Sequence, residues 1–178
     1  MAENAVMVNR APVLTLWGAV VAERLGYDRK AALTLGRALA GLNAQAKGRS
    51  LGIFHERKPP ERGGPPKKTG LGEEFWVEIC GRPVPAKETR DGVRAVVKDQ
   101  AIDPQKVQEY LEGKFGESFA SVRAAMEALA AALKPEELAE AAYPLYERFR
   151  PQIASGKRGW GQKGELDLDL IRSLAKKA

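Results

Sequence analysis

Apolar positions follow a helical period through most of this chain and a period of two in one region, residues 74–98. The first helical stretch is VLTLWGAVVAERL (Val13–Leu25), which places Val13, Leu16, Trp17, Val20, Val21 and Ala22 near one face. Pro12 suits its start, where a missing N–H costs nothing, and Gly26 suits its end. Asp28 is a good cap for a second helix over about 29–45, in which Leu33, Leu35, Leu39 and Leu42 alternate with Gly36, Gly41 and alanines. That helix is apolar on almost every side, so burial or close packing is expected. The turn Gly26-Tyr27-Asp28 between two helices also has the outline of a helix-turn-helix, with Arg29, Lys30, Thr34 and Arg37 facing DNA. ALTLGRALAGLNA is poor in polar side chains for a reading helix, and a plain antiparallel pair is the stronger expectation. Residues 1–10 read as a loose terminus.

In EEFWVEIC, Phe75, Val77 and Ile79 alternate with Trp76, Glu78 and Cys80, the pattern of a strand. Gly81-Arg82-Pro83 interrupts it, and Pro83 and Pro85 predict an edge or irregular strand next. Asp91-Gly92 signals a turn before VRAVVK (Val93–Lys98), so a hairpin or three-stranded meander is expected over 74–98. Asp103-Pro104 is a cap followed by proline at the first helical position, opening a helix that should stop near Gly113. Ser118 is expected to cap FASVRAAMEALAAALK, and Pro135 to open PEELAEAAYPLYERFR, which Pro144 should kink or break. ELDLDLIRSLAKK reads as a final helix with acids at its start and cations at its end.

The fold class is therefore mainly α with a small antiparallel β-hairpin, in a winged-helix-like element order with Arg82, Lys87, Arg90 and Arg94 on the wing. Residues 1–46 form an N-terminal helical pair, 47–72 a mobile basic loop, and 73–178 a hairpin plus C-terminal helices packed as one domain with 1–46. A hydrophobic content of 44% over 178 residues is enough for a core of this kind.

Charge changes the picture most. The net charge is +6, of which Lys47–Lys68 supplies +5. Its cations Lys47, Arg49, Arg57, Lys58, Arg62, Lys67 and Lys68 face only Glu56 and Glu61, and Pro59, Pro60, Gly63, Gly64, Pro65 and Pro66 deny its second half a regular ladder. Such a segment can neutralise phosphates, with Phe54 available to stack on a base. A second candidate is SGKRGWGQKG, where Lys157 and Arg158 flank a glycine-rich backbone and Trp160 could stack or plug the core. It lacks the ending of a phosphate-binding P-loop and follows no strand.

One cysteine (Cys80) and one histidine (His55) exclude an internal disulfide and a multi-histidine or multi-cysteine metal site. The two could pair as nucleophile and base, although a lone strand cysteine is more often a small buried apolar residue. Glu165, Asp167 and Asp169 could approach a divalent ion but read better as acids at a helix start. No cofactor or metal is expected, the first residues do not read as a signal peptide, and no membrane span is expected. The leading reading is a cytoplasmic nucleic-acid-binding or regulatory protein with no sequence choice assignable. The alternatives are an interaction module for an acidic protein partner and, third, a small-molecule enzyme using Trp160, Arg158 and Cys80.

Overall fold

The computed structural model describes residues 5–50, 74–90, 92–97, 100–151 and 164–177. Its architecture is predominantly helical with a small antiparallel sheet. The organising element is helix α1 (Arg10–Arg24), in which every residue from Pro12 to Ala22 is buried. The sequence pattern predicts burial on one face; instead Leu14, Thr15 and Gly18 are enclosed as well, because the helix is apolar all round and is surrounded on every side. Trp17 sits at its centre, fully buried. Its indole N–H donates to the Ala142 carbonyl at 2.9 Å, and its ring meets Phe149 edge-on at 5.2 Å.

Helix α1 ends as expected. Gly26 takes φ +114°, and the Tyr27 N–H reaches back to the Ala22 carbonyl at 3.0 Å, closing the last turn. Asp28 then accepts from the Ala31 N–H at 2.8 Å and starts α2 (Arg29–Ser50). The two helices cross at Gly18 and Gly36, where a Cβ on Gly18 would lie 3.0 Å from the Gly36 Cα. From Ala31 to Ala40, only Arg37 is exposed on α2. The pair is thus a packed antiparallel unit.

The sheet is a four-stranded meander, β2 (Glu74–Ile79), β3 (Arg82–Thr89), β4 (Gly92–Val97) and β5 (Gln100–Ala101), one strand more than the pattern predicts. Cys80 and Gly81 form the two-residue connection between β2 and β3, both at positive φ, as a primed hairpin turn requires. Thr89 pairs with Gly92, so the second turn falls one residue earlier than Asp91-Gly92 suggests. Contrary to the edge expectation, β3 is an inner strand. Its prolines are tolerated because β4 pairs only with residues 86–89 of β3, beyond Pro83 and Pro85. Phe75, Val77, Ile79, Val84, Ala86 and Ala95 turn one face of the sheet to the helices. Thr34 locks the contact: its hydroxyl, fully buried in α2, accepts from the Ala95 N–H at 2.9 Å and donates to the Ala31 carbonyl at 2.8 Å.

Helix α3 (Pro104–Phe115) is capped by Asp103, which accepts from the Gln105 N–H at 2.9 Å, and it runs through Gly113 rather than stopping there. A single 3₁₀ turn, Gly116–Ser118, joins it to α4 (Phe119–Ala131). Ser118 makes no side-chain cap; its own backbone is already helical, which leaves its hydroxyl badly placed to accept from the next turn. Helix α5 (Pro135–Phe149) passes through Pro144 as one helix, the exposed proline ring facing away from the core.

Two expectations about the ends of the described chain are corrected. Ala5–Val8 is not a loose terminus but strand β1, and it pairs with β6 (Gly164–Asp167), Val6 opposite Leu166. The start of the expected final helix is therefore a strand, and helix α6 runs only from Leu168 to Lys177. ELDLDL satisfies both periods locally; a partner some 160 positions away in sequence, rich in valine, decides for the strand. Leu168, Ile171 and Leu174 of α6 are buried, and α6 packs on α4.

Candidate functional site

An open groove of about 920 Å³ lies where the N-terminal ends of α2 and α3 meet the far end of the sheet. Arg29, Lys30 and Leu33 come from α2, Thr89 and Arg94 from β3 and β4, Ile102 and Asp103 from the approach to α3, and Gln105 and Gln108 from its first turns. Neither helix has an acid in its first turn, and α2 opens with two cations. A helix N-terminus carries partial positive charge, so placing Arg29 and Lys30 there raises the local potential instead of balancing it. Asp28 and Asp103 offset part of this, each engaged with a backbone N–H. Arg29 also lies 3.6 Å from Glu23 with most of its side chain in solvent.

Arg94 is nearly enclosed, at 5% exposure, and one guanidinium nitrogen donates to the Val93 carbonyl at 2.8 Å. It stands opposite Lys87 in the β3–β4 ladder, so both side chains leave the same face of the sheet. Arg90 is exposed at the turn between those strands. Five cations thus gather at one end of the molecule: Arg29, Lys30, Lys87, Arg90 and Arg94.

The wing cations do not all converge. Arg82 lies on the opposite face of β3, near the other hairpin turn, with its guanidinium 5.8 Å from the Tyr143 ring. Thr34 and Arg37 do not face outward together either. Thr34 is core, and Arg37 lies over the Tyr110 ring at 4.5 Å. Lys47 and Arg49 fall in the last turns of α2, about 26 Å along its axis from Arg29 and Lys30 at 1.5 Å per residue, so the described groove does not include them. Arg57, Lys58, Arg62, Lys67 and Lys68 of the basic segment lie outside the described residues, as do Lys157, Arg158, Trp160 and His55.

Cys80 is 4% exposed, and burial pushes its thiol up to about 12, the reverse of what an activated nucleophile needs. The carboxylates near the C-terminal strand are structural. Asp167 accepts from the N–H groups of Asp169 and Leu170 at 2.9 and 3.3 Å, and Asp169 pairs with Arg172 at 3.4 Å. Among the described residues no group of three or more metal-binding side chains assembles, and no helix is long and apolar enough to cross a membrane. No known protein family, no characterised protein and no solved structure matches this chain. Any functional reading therefore stands on the residues themselves.

Sequence reasoning names Arg29, Lys30, Lys87 and Arg94 but spreads them over two unrelated arguments. The sheet register unites Lys87 with Arg94, and the docking of α2 brings Arg29 and Lys30 to the same groove as Arg94. Thr89, Gln105 and Gln108, the neutral donors of the groove, carry no signal in the sequence.

Proposed function

We propose that this is a cytoplasmic nucleic-acid-binding or regulatory protein that holds phosphates at its cationic end. The observation that carries the reading is the gathering of Arg29, Lys30, Lys87, Arg90 and Arg94 around one open groove and one sheet end. The sequence supports it independently, because most of the net charge lies in Lys47–Lys68. In this reading the β3–β4 turn with Arg90 acts as the wing of a winged-helix-like arrangement. Helix α2 contributes its N-terminal end and not a reading face, since its residues 31–40 are occupied by α1 and the sheet. Phosphate contacts of this kind give affinity without sequence choice.

The test is fluorescence anisotropy with labelled DNA and RNA over a range of salt concentrations. Affinity should fall steeply with salt, and each phosphate contact removed should flatten the log–log slope by about 0.7–0.9. Lys30→Glu with Lys87→Glu should weaken binding alike for all sequences. Charge reversal at Arg57, Lys58, Lys67 and Lys68 measures the share of the basic segment. Binding that ignores both sets of substitutions, or that vanishes at physiological salt, would refute the reading.

A further inference from the structure

The sheet has a second face, and its composition is unlike that of a solvated surface. Strand alternation puts Phe75, Val77, Ile79, Val84 and Ala86 on the core side, and leaves Glu74, Trp76, Glu78, Pro83, Pro85, Lys87, Thr89 and Arg94 on the other. At the β4 end that outer face is closed, with Val96 paired to Ala101 of β5 and nearly enclosed. At the β2–β3 end, Trp76, Pro83, Pro85 and Lys87 are all partly exposed, and Trp76 does not belong to the core cluster. A tryptophan that is not needed to fill the interior is partly exposed there, diagonal to a cation.

The register fixes the geometry of this group. Trp76 is directly opposite Pro85. Lys87, directly opposite Glu74, is the diagonal neighbour of Trp76 two residues further along β3, a separation of about 7–8 Å. Arg94 continues the row beside Lys87 and leads into the groove with Arg29 and Lys30. Pro85 is rigid, so the indole has a neighbour with no rotamer freedom to lose when something stacks on it. An aromatic surface next to a track of cations is the arrangement that takes a base by its face and its phosphate by charge. A duplex hides its base faces and can use only the cations.

We infer that the outer face of β2–β3 is a platform for single-stranded nucleic acid, with a base stacked on Trp76, its phosphate at Lys87, and the strand continuing past Arg94 into the groove. This deepens the nucleic-acid reading and rests on it. Stacking tolerates any base, so the platform selects strandedness and not sequence.

The decisive experiment is anisotropy titration of the full chain with labelled oligothymidylate, oligouridylate and a duplex of equal length, at near-physiological salt. The single strands should bind more tightly than the duplex. Trp76→Ala should weaken them between about 5-fold and 150-fold while leaving the duplex unchanged, and Trp76→Phe should restore most of the loss. Melting followed by circular dichroism checks that both variants fold, as expected for a side chain outside the core. Equal binding of duplex and single strand, or single-strand affinity indifferent to Trp76→Ala, overturns the platform but leaves the cationic end intact. Binding of neither nucleic acid removes the underlying reading as well. Binding of polyglutamate with neither nucleic acid assigns the face to an acidic protein and also overturns the proposal.

Discussion

Gly36→Ala is the sharpest test of how the helix pair is built. A methyl group at this position would press on the Thr15 carbonyl oxygen and lie 2.8 Å from the Ala19 nitrogen, both backbone atoms of α1. Neither can be moved by rotating a side chain, so relief requires the two helices to separate. Alanine is favoured over glycine in a helix by about 1 kcal/mol. Forcing a methyl group into a filled core costs about 1–3 kcal/mol and occasionally more. With backbone as the obstacle the upper end applies, giving a net loss of about 2 kcal/mol. For a chain of this length that lowers the melting temperature by about 4–8 °C. Gly41→Ala is the internal control: it lies in the same helix, is exposed, and a methyl group there meets nothing within 4 Å. It should gain about 0.5–1 kcal/mol. Thermal unfolding of the two variants by circular dichroism therefore predicts shifts of opposite sign. A Gly36→Ala protein that melts at or above the parent temperature would show that α1 and α2 do not meet at this crossing.

Three further outcomes follow from the same packing. Cys80 should resist a thiol reagent at pH 8, where a group titrating at about 12 is ionised in about one molecule in ten thousand, and react fully only on unfolding; rapid native labelling would contradict its burial. Desolvation raises Cys80, Tyr146, Tyr27 and Tyr110 above their ordinary values of 9.0 and 10.0, so unfolding releases protons at high pH. The stability they contribute is complete below about pH 8 and is lost as pH rises toward the folded-state values, so urea midpoints should drop between pH 8 and pH 10.5; equal midpoints would sink the argument. Arg123→Ala should cost about 1–3 kcal/mol, because Arg123 is 8% exposed and pairs with Glu23 at the end of α1, joining α4 to it. A loss below about 0.5 kcal/mol would place that pair among ordinary surface ion pairs.

Much of the fold was legible because its signals are local. The Asp28 and Asp103 caps, the glycine closing α1, the proline opening α5 and the strand alternation around Trp76 each involve residues within one turn or one strand. What escaped depends on partners distant in sequence. Residues 5–8 become a strand only because β6 is there to pair with them, and ELDL becomes a strand for the same reason. Pro83 and Pro85 are local marks of an edge, and only the offset of β4 along β3 shows how an inner strand accommodates them. The candidate site was half visible. Its cations could be named, but that Lys87 and Arg94 share a face with Trp76, and that Arg29 and Lys30 sit next to them, is a matter of register and docking.

The burial of α1 on every side has a consequence for how the protein is made. An isolated α1 is a strongly apolar segment, and the partners that cover it come from α2, the sheet, α3, α4 and α5. During synthesis at about 5–20 residues per second, some 125 residues separate the end of α1 from the end of α5, an interval of roughly 6–25 s. Through that interval a helix buried on every side in the folded protein is outside the ribosome without its full set of neighbours. Alliance with α2 shields the face that carries Gly18, while the face around Trp17 waits for Ala142 and Phe149. A nascent chain stalled before α5 should therefore be a substrate for holding chaperones, and one extended past Phe149 should not.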